Sequence, residues 1–139
     1  MSKIVTFMIC DAINNIPSPS GEMIPQLVAP QIAVRPQFIP GNYSFSISVG
    51  VRDVDLKRVN QIRFTITSPT GVILQDSGNS DFPPIGKPDI IPLEFQGFTL
   101  SMDVRNIVIH EEGLYTFSLY INDIVIGTQE IPIFKREEK

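Results

Sequence analysis

The chain has 139 residues, the size of one ordinary domain. Its hydrophobic fraction of 42% and charged fraction of 19% are typical of a globular protein and argue against intrinsic disorder. The net charge of −4 provides no basic surface, which argues against wholesale binding of nucleic acid or of an anionic membrane.

The first predicted strand covers residues 3–10 and ends at Cys10, the one cysteine of the sequence. A single cysteine cannot form a disulfide within the chain, and a free cysteine ordinarily behaves as a small buried hydrophobe. A reactive thiolate would need a nearby cation or helix N-terminus, and neither is visible here. The N-terminus lacks a signal-peptide pattern, and no run reaches the roughly 18 apolar residues of a spanning helix, so we expect a cytoplasmic protein.

A segment rich in proline and serine follows at residues 14–25. Ile16, Pro17 and Pro19 make it an apolar connection stiffened by proline, and such a connection loses little entropy when it binds a partner. We therefore expect a partner-binding loop here. The next strand is predicted at 26–35.

Alternation of apolar and small or polar residues then predicts strands at 43–52, 61–67 and 72–76, because neighbouring side chains of a strand point to opposite faces. The turn residues Ser68 to Gly71 join the last two strands as a hairpin. The connection 53–59 could form one helical turn.

A long connection at residues 77–89 is the strongest candidate site, because long loops in compact domains tend to be functional or disordered. Its apolar residues could anchor a partner protein, and they are Phe82, Pro83, Pro84 and Ile85. The alternative is that Phe82 and Ile85 fold back and plug one end of the domain.

Four further strands are predicted at 90–95, 98–109, 114–121 and 124–134. The alternation changes phase at Gln96–Gly97, which predicts a bulge or a strand that changes sheets. Asn122 and Asp123 suit a two-residue hairpin turn with positive φ.

Few residues of the sequence are candidates for catalysis or metal binding. The one histidine, His110, has Glu111 and Glu112 beside it but no nucleophile, so we expect no catalysis and no zinc site. Asp53, Asp55 and Asp103 could supply oxygen ligands to calcium, although turn and cap duty explains them better. We expect no metal and no cofactor.

Several motifs in combination resemble an uncharacterised bacterial family of small cytoplasmic β-sandwich proteins. They are Met8 to Asp11, Pro36 to Phe38, the Ile62-x-Phe64-x-Ile66-x-x-Pro69-x-Gly71 pattern, and Gly113-x-Tyr115-x-Phe117 with its closing hairpin. The resemblance implies a fold and no activity. The Gly-x-Tyr-x-Phe segment is also common in immunoglobulin-like domains.

The sequence thus predicts an all-β protein, an antiparallel two-sheet sandwich of immunoglobulin-like layout with about seven to nine strands. One domain covers residues 1–134, and a charged tail covers 135–139. The predicted core consists of apolar residues from these strands: Val5, Phe7, Phe45, Ile47, Val49, Ile62, Phe64, Ile66, Leu100, Met102, Tyr115, Phe117, Leu119 and Ile121.

For function we expect a non-enzymatic binding or assembly module that contacts another protein or itself. One alternative is a homo-oligomeric structural subunit of a virion, sheath or secretion assembly. A second alternative is a small-ligand or calcium-binding protein.

Overall fold

The computed structural model of the protein describes residues 2–84 and 92–136. These residues form ten β-strands and a short 3-10 helix at Leu93–Phe95. The strands in chain order are β1 Lys3–Cys10, β2 Ala12–Pro17, β3 Met23–Val28, β4 Gly41–Arg52, β5 Asn60–Thr67, β6 Ile73–Asp76, β7 Ser80–Phe82, β8 Gly97–Ile109, β9 Gly113–Ile121 and β10 Ile124–Ile133.

Two antiparallel sheets pack face to face. The three-stranded sheet has the order β1-β4-β8. The five-stranded sheet has the order β10-β9-β5-β6, and β7 also pairs with β5. Strands β2 and β3 form a separate two-stranded hairpin, which we call the arm. The predicted all-β antiparallel class is therefore confirmed.

The alternating patterns produce one continuous core between the sheets. In β9 every second side chain from Tyr115 to Ile121 is buried, and Phe117 and Leu119 are fully buried. The Phe117 ring centroid lies 5.2 Å from that of Phe7 in one sheet and 5.8 Å from that of Phe64 in the other. Apolar burial of this kind supplies the main stabilisation of such a sandwich.

One side of the sandwich is closed by the connection between β3 and β4. Gln31 donates its backbone N–H to Ile9 of β1 at 2.7 Å. Three residues later, the N–H of Val34 donates to Pro132 of β10 at 2.8 Å. The connection therefore ties the edges of the two sheets together, and its residue Val34 is buried.

Three predicted elements differ from the structure. The strand expected at 26–35 ends at Val28, and residues 29–40 form the closing connection. The strand expected at 90–95 is wrong where the structure describes it, since Leu93–Phe95 forms a 3-10 helix. Consequently the phase change at Gln96–Gly97 marks the start of β8 rather than a strand changing sheets. The connection 53–59 forms turns instead of a helical turn.

The predicted core holds with one clear error, Val5, which is 39% exposed. The pairing of β1 with β4 shifts register between Ile4 and Thr6, so Val5 is the extra residue of a bulge. Ile4 packs against the core in its place. Phe7, Phe64 and Leu100 are half-buried against the core, and the other predicted members are buried.

Phe117→Asp should unfold the domain, because it places an unpaired charge between both sheets in a fully buried position. We expect a loss of more than about 4 kcal/mol in the free energy of unfolding. Circular dichroism and thermal melting measure it. A variant that melts at the wild-type temperature would show that the register of β9 is wrong.

Candidate functional site

The arm is a regular hairpin. Its six residue pairs run from Ala12 opposite Val28 to Pro17 opposite Met23, with no shift in register. At the tip, the N–H of Ser18 donates to Glu22 at 2.7 Å and that of Gly21 donates to Ser18 at 2.9 Å. Gly21 has φ of 87°, a conformation that glycine adopts without strain.

The arm begins and ends beside the sandwich edge. The N–H of Asp11 donates to Val28 at 2.9 Å, which extends the hairpin to its base. The side-chain amide of Gln31 donates to the Asp11 carboxylate, and this bond links the base to the closing connection. Ala29 turns the chain with a positive φ of 52°. The base is thus fixed to the sandwich by several hydrogen bonds.

The arm exposes apolar side chains to solvent. No residue of β2 or β3 is buried, and Met23 is 61% exposed, Ile24 42% and Val28 39%. Neither strand contains a charged residue, and Glu22 at the tip is the one charge between Ala12 and Val28. An exposed, uncharged apolar surface of this kind marks interaction sites on proteins.

The prolines in the strands of the arm lie at positions where they do not interrupt its hydrogen bonds. Because Ser18 and Glu22 form a hydrogen-bonded pair and bonded pairs alternate along an antiparallel ladder, Pro17 and Pro25 fall at non-bonded positions. Their nitrogens face the outer edges of the hairpin, where no partner N–H is needed for the ladder. Proline therefore leaves the arm intact and removes donors from its outer edges.

The predicted binding residues of the first loop lie in this arm. Ile16 is half-buried opposite Ile24, Pro17 is exposed opposite Met23, and Pro19 is exposed in the tip. The sequence prediction took the segment for an irregular loop because it contains several prolines. Only the two uncharged runs on either side of Ser18 to Gly21 signalled a hairpin.

Phe82 of the second predicted loop belongs to β7 and pairs with Asn60. Its ring stacks on Phe98 with centroids 4.5 Å apart and an angle of 18° between the planes. Phe82 is half-buried, and it lines an apolar cleft of about 230 Å³ between β5, β7 and β8. These contacts favour the alternative in which Phe82 plugs the sandwich.

The neighbours of Phe82 differ from it. Pro83 and Pro84 are exposed, and Ile85 lies outside the described residues. Phe82 sits beside the first residue of β5, whereas the arm leaves the end of β1 next to the first half of β4. The described part of the second predicted loop and the arm therefore lie at opposite ends of the sandwich.

A second pocket, of about 180 Å³, surrounds Tyr115 at the arm end of the sandwich. The Tyr115 hydroxyl donates to the backbone carbonyl of Glu111 at 2.7 Å, and burial raises the pKa of Tyr115. Glu111 accepts from the Thr70 hydroxyl at 3.1 Å, and Glu112 accepts from the N–H of Lys135 at 2.8 Å. Both carboxylates beside His110 thus make structural hydrogen bonds.

The remaining candidate groups are dispersed. Cys10 is fully buried, its thiol lies 3.6 Å from the carbonyl of Ser46, and burial raises its pKa. Asp103 accepts from the Ser46 hydroxyl at 2.7 Å, while Asp55 accepts from the N–H of Lys57 at 3.0 Å. Asp53 follows the last residue of β4, about 20 Å along that strand from Ser46. Residues 2–84 and 92–136 bring together no group of three potential metal ligands.

One ion pair stands out on the outer face of the five-stranded sheet. Arg63 makes two hydrogen bonds to Asp76, at 2.9 and 2.6 Å, and lies 4.9 Å from the centre of the Tyr120 ring. The hydrogen bond from Arg63 lowers the pKa of Asp76 to about 2. The pair joins β5 to β6 and points away from both pockets, so we assign it a structural role.

Comparisons with known proteins give no indication of function, so the functional argument rests on the arm and the pockets described above. No protein-family model matches the chain. A search of curated proteins finds no match either. Within the part of the chain that the structure describes, no helix is long and apolar enough to cross a membrane.

Phe82→Ser should lower the free energy of unfolding by about 1–2 kcal/mol, because it removes a half-buried ring and its stack on Phe98. Pro84→Ser is the matched control, since Pro84 is exposed and should leave stability within about 0.5 kcal/mol. Urea denaturation measures both. Unchanged stability in the Phe82 variant would restore Phe82 as a candidate anchor for a partner.

Tyr115→Phe should cost about 1 kcal/mol of stability, because it leaves the Glu111 carbonyl without its buried donor. Tyr120→Phe is the control, since the Tyr120 hydroxyl lies on the half-exposed outer face. Equal urea midpoints for the two variants would contradict a structural role for the Tyr115 hydroxyl.

Proposed function

We propose that this protein is a non-enzymatic protein-binding or assembly module that engages its partner through the arm. The observation that carries the proposal is the exposure of an uncharged apolar hairpin outside the sandwich core. Ile16, Pro17 and Pro19 belong to this binding element, and Met23 and Ile24 complete it.

The physical argument starts from the stability of hairpins. A two-stranded hairpin is at best marginally stable in water, and a third strand or a covering surface is needed for it to persist. The arm pairs with no third strand among the described residues. Met23 and Leu27 lie on one face of the arm, and Ile24 and Val28 lie on the other. A partner that covers the face of Met23 would supply the missing apolar contact.

We further propose an immunoglobulin-like layout for the sandwich that carries the arm. The order β1-β4-β8 parallels strands A-B-E of that fold, and β10-β9-β5 parallels G-F-C. Tyr115, near the start of β9, bonds back to Glu111 as the tyrosine corner of such domains does. Sandwiches of this kind often serve as rigid supports for binding elements, an argument by analogy.

The remaining expectations stay predictions. They are membership of the resembled bacterial family, a cytoplasmic location, the absence of enzymatic activity, and no binding of nucleic acid or membrane. The hydrogen bonds of Glu111 and Glu112 support a non-catalytic role for the segment around His110. A homo-oligomeric structural subunit remains the second candidate, because the unprotected outer edge of β2 can pair with a second copy of the chain.

Affinity capture from lysate of the source organism, followed by mass spectrometry and a binding measurement with the purified partner, tests the proposal. Met23→Asp should weaken binding at least tenfold, because it places a charge in the apolar face of the arm. Ile124→Asp is the matched control. Ile124 is 63% exposed against 61% for Met23, and it lies at the end of the sandwich opposite the arm.

Both variants should melt at the wild-type temperature, since both side chains are exposed. Equal binding by the two variants, whether retained or lost together, would contradict the assignment of the arm as the binding element.

A further inference from the structure

Most of the strand edges in residues 2–84 and 92–136 are protected against pairing with another chain. Natural sheets do so with charges and prolines on their edge strands. In the part of the chain that the structure describes, the edge strands of the two sheets all carry charged residues: Lys3 in β1, Asp103 and Arg105 in β8, Glu130 in β10, Asp76 in β6 and Asp81 in β7.

Within the arm, β3 is protected and β2 is not. Pro25 lies in the middle of β3 at a position whose nitrogen faces outward, so the outer edge of β3 lacks a donor there. Strand β2 contains no charge, and its one proline is the terminal Pro17. Strand β1 has its one charge at the terminal Lys3, but a bulge at Val5 and the bridge from Gln31 to Ile9 interrupt its edge. Between Ala12 and Ile16, strand β2 has no charge, no proline and no bulge.

The outer edge of β2 offers a complete set of backbone groups. Ile13 and Asn15 occupy the non-bonded positions of the ladder with β3, so their N–H and C=O groups face away from the hairpin. Asn14 and Asn15 are exposed, and Ile13 is half-buried. This segment is a template for one more antiparallel strand.

We infer that β2 pairs with β2 of a second copy of this chain, antiparallel about a two-fold axis at Asn14. In that register Ile13 lies opposite Asn15 of the second copy, and every outward N–H of the two residues meets a carbonyl. Pro17 falls opposite Asp11 of the second copy, and the N–H of Asp11 already donates to Val28, so the new ladder ends before this pair. The inference rests on the proposed role of the arm and names its partner.

The absence of charge is what suits β2 to a copy of itself. Pairing of identical strands about a two-fold axis places the central residue opposite itself, and like charges directly opposite one another are destabilising. Asn14 and its neighbours carry no charge, so the repulsion between two chains of net charge −4 is absent from the contact. An uncharged central strand is therefore complementary to its own copy.

The pairing would also stabilise the arm, which on its own is a two-stranded hairpin. Two hairpins joined through β2 make a four-stranded sheet, wide enough to be stable where a single hairpin is marginal. Directly paired residues share a face, so the apolar face with Ile13, Leu27 and Met23 continues across the axis. The contact is isologous and closes as a dimer.

The size of the contact sets its strength. Six residues of an extended strand span about 20 Å, and an edge of that length buries less than the roughly 1,600 Å² of a standard interface. The dimer is therefore expected to dissociate on dilution. In sedimentation equilibrium the mass should rise from 15.5 kDa toward twice that value as the protein concentration increases.

Three variants of the arm and one control test the register of the pairing. Asn15→Pro removes one of the two outward donors of β2, and with it half of the bonds between the copies, while it leaves the ladder of the arm intact, as Pro25 does on β3. This variant should therefore remain monomeric. Asn14→Lys and Asn14→Glu should each be monomeric, because each places like charges opposite one another. An equimolar mixture of these two should dimerise.

Gln26→Lys is the matched control for charge. Gln26 pairs with Asn14 inside the arm, so in the dimer the two copies of this residue would stand about 14 Å apart, beyond the screening length at 0.15 M salt. This variant should dimerise like the wild type.

The outcomes separate this inference from the proposed function. A wild-type protein that stays monomeric at every concentration overturns the self-pairing, as does a dimer that survives Asn15→Pro and both Asn14 charges. The role of the arm is judged independently by the loss of partner capture in Met23→Asp. If the wild type is monomeric and Met23→Asp still loses partner capture, the arm is a binding element whose partner is a different protein.

Discussion

The two outermost strands of any open sheet carry N–H and C=O groups that the sheet itself cannot pair, and these groups attract other chains. The structure of this protein is arranged around that constraint. The closing connection joins the edges of both sheets through Ile9, Val34 and Pro132 on one side of the sandwich. Charged residues mark the described edge strands of the two sheets, and Pro25 removes a donor from the outer edge of β3. Among the residues that the structure describes, the outer edge of β2 is left open, and it is therefore the place where a further strand can pair.

Much of the sandwich could be predicted because its strands are buried on one face and wet on the other. The alternation in β4, β5 and β9 identified the core, and Asn122 and Asp123 form the expected turn with φ of 53° and 66°. The bulge at Val5 could not be predicted, since a register shift depends on the partner strand rather than on local residues. The alternation before Gln96 likewise suited a strand, but the residues form a 3-10 helix.

The candidate site was less accessible to sequence reasoning. Proline in a run of residues argues against a strand, yet the arm tolerates Pro17 and Pro25 because both lie at outward positions of the ladder. Those positions depend on the turn at Ser18 to Glu22, and a shift of one residue would have turned both nitrogens inward. Phe82 was predicted to lie in a loop, either as an anchor for a partner or as a plug of the domain, and the sequence could not decide between the two. Its partner Phe98 lies in β8, and only the assembled sandwich brings the two rings together.

Amide hydrogen exchange of the full-length protein, followed at increasing protein concentration, tests most directly the claim that the outer edge of β2 is the interaction surface. The amides of Ile13 and Asn15 should exchange rapidly in dilute solution and slow markedly as the protein is concentrated. Phe117, in the core between the sheets, should exchange slowly throughout. Exchange rates at Ile13 and Asn15 that do not depend on concentration, or protection that develops in β8 instead, would contradict the account.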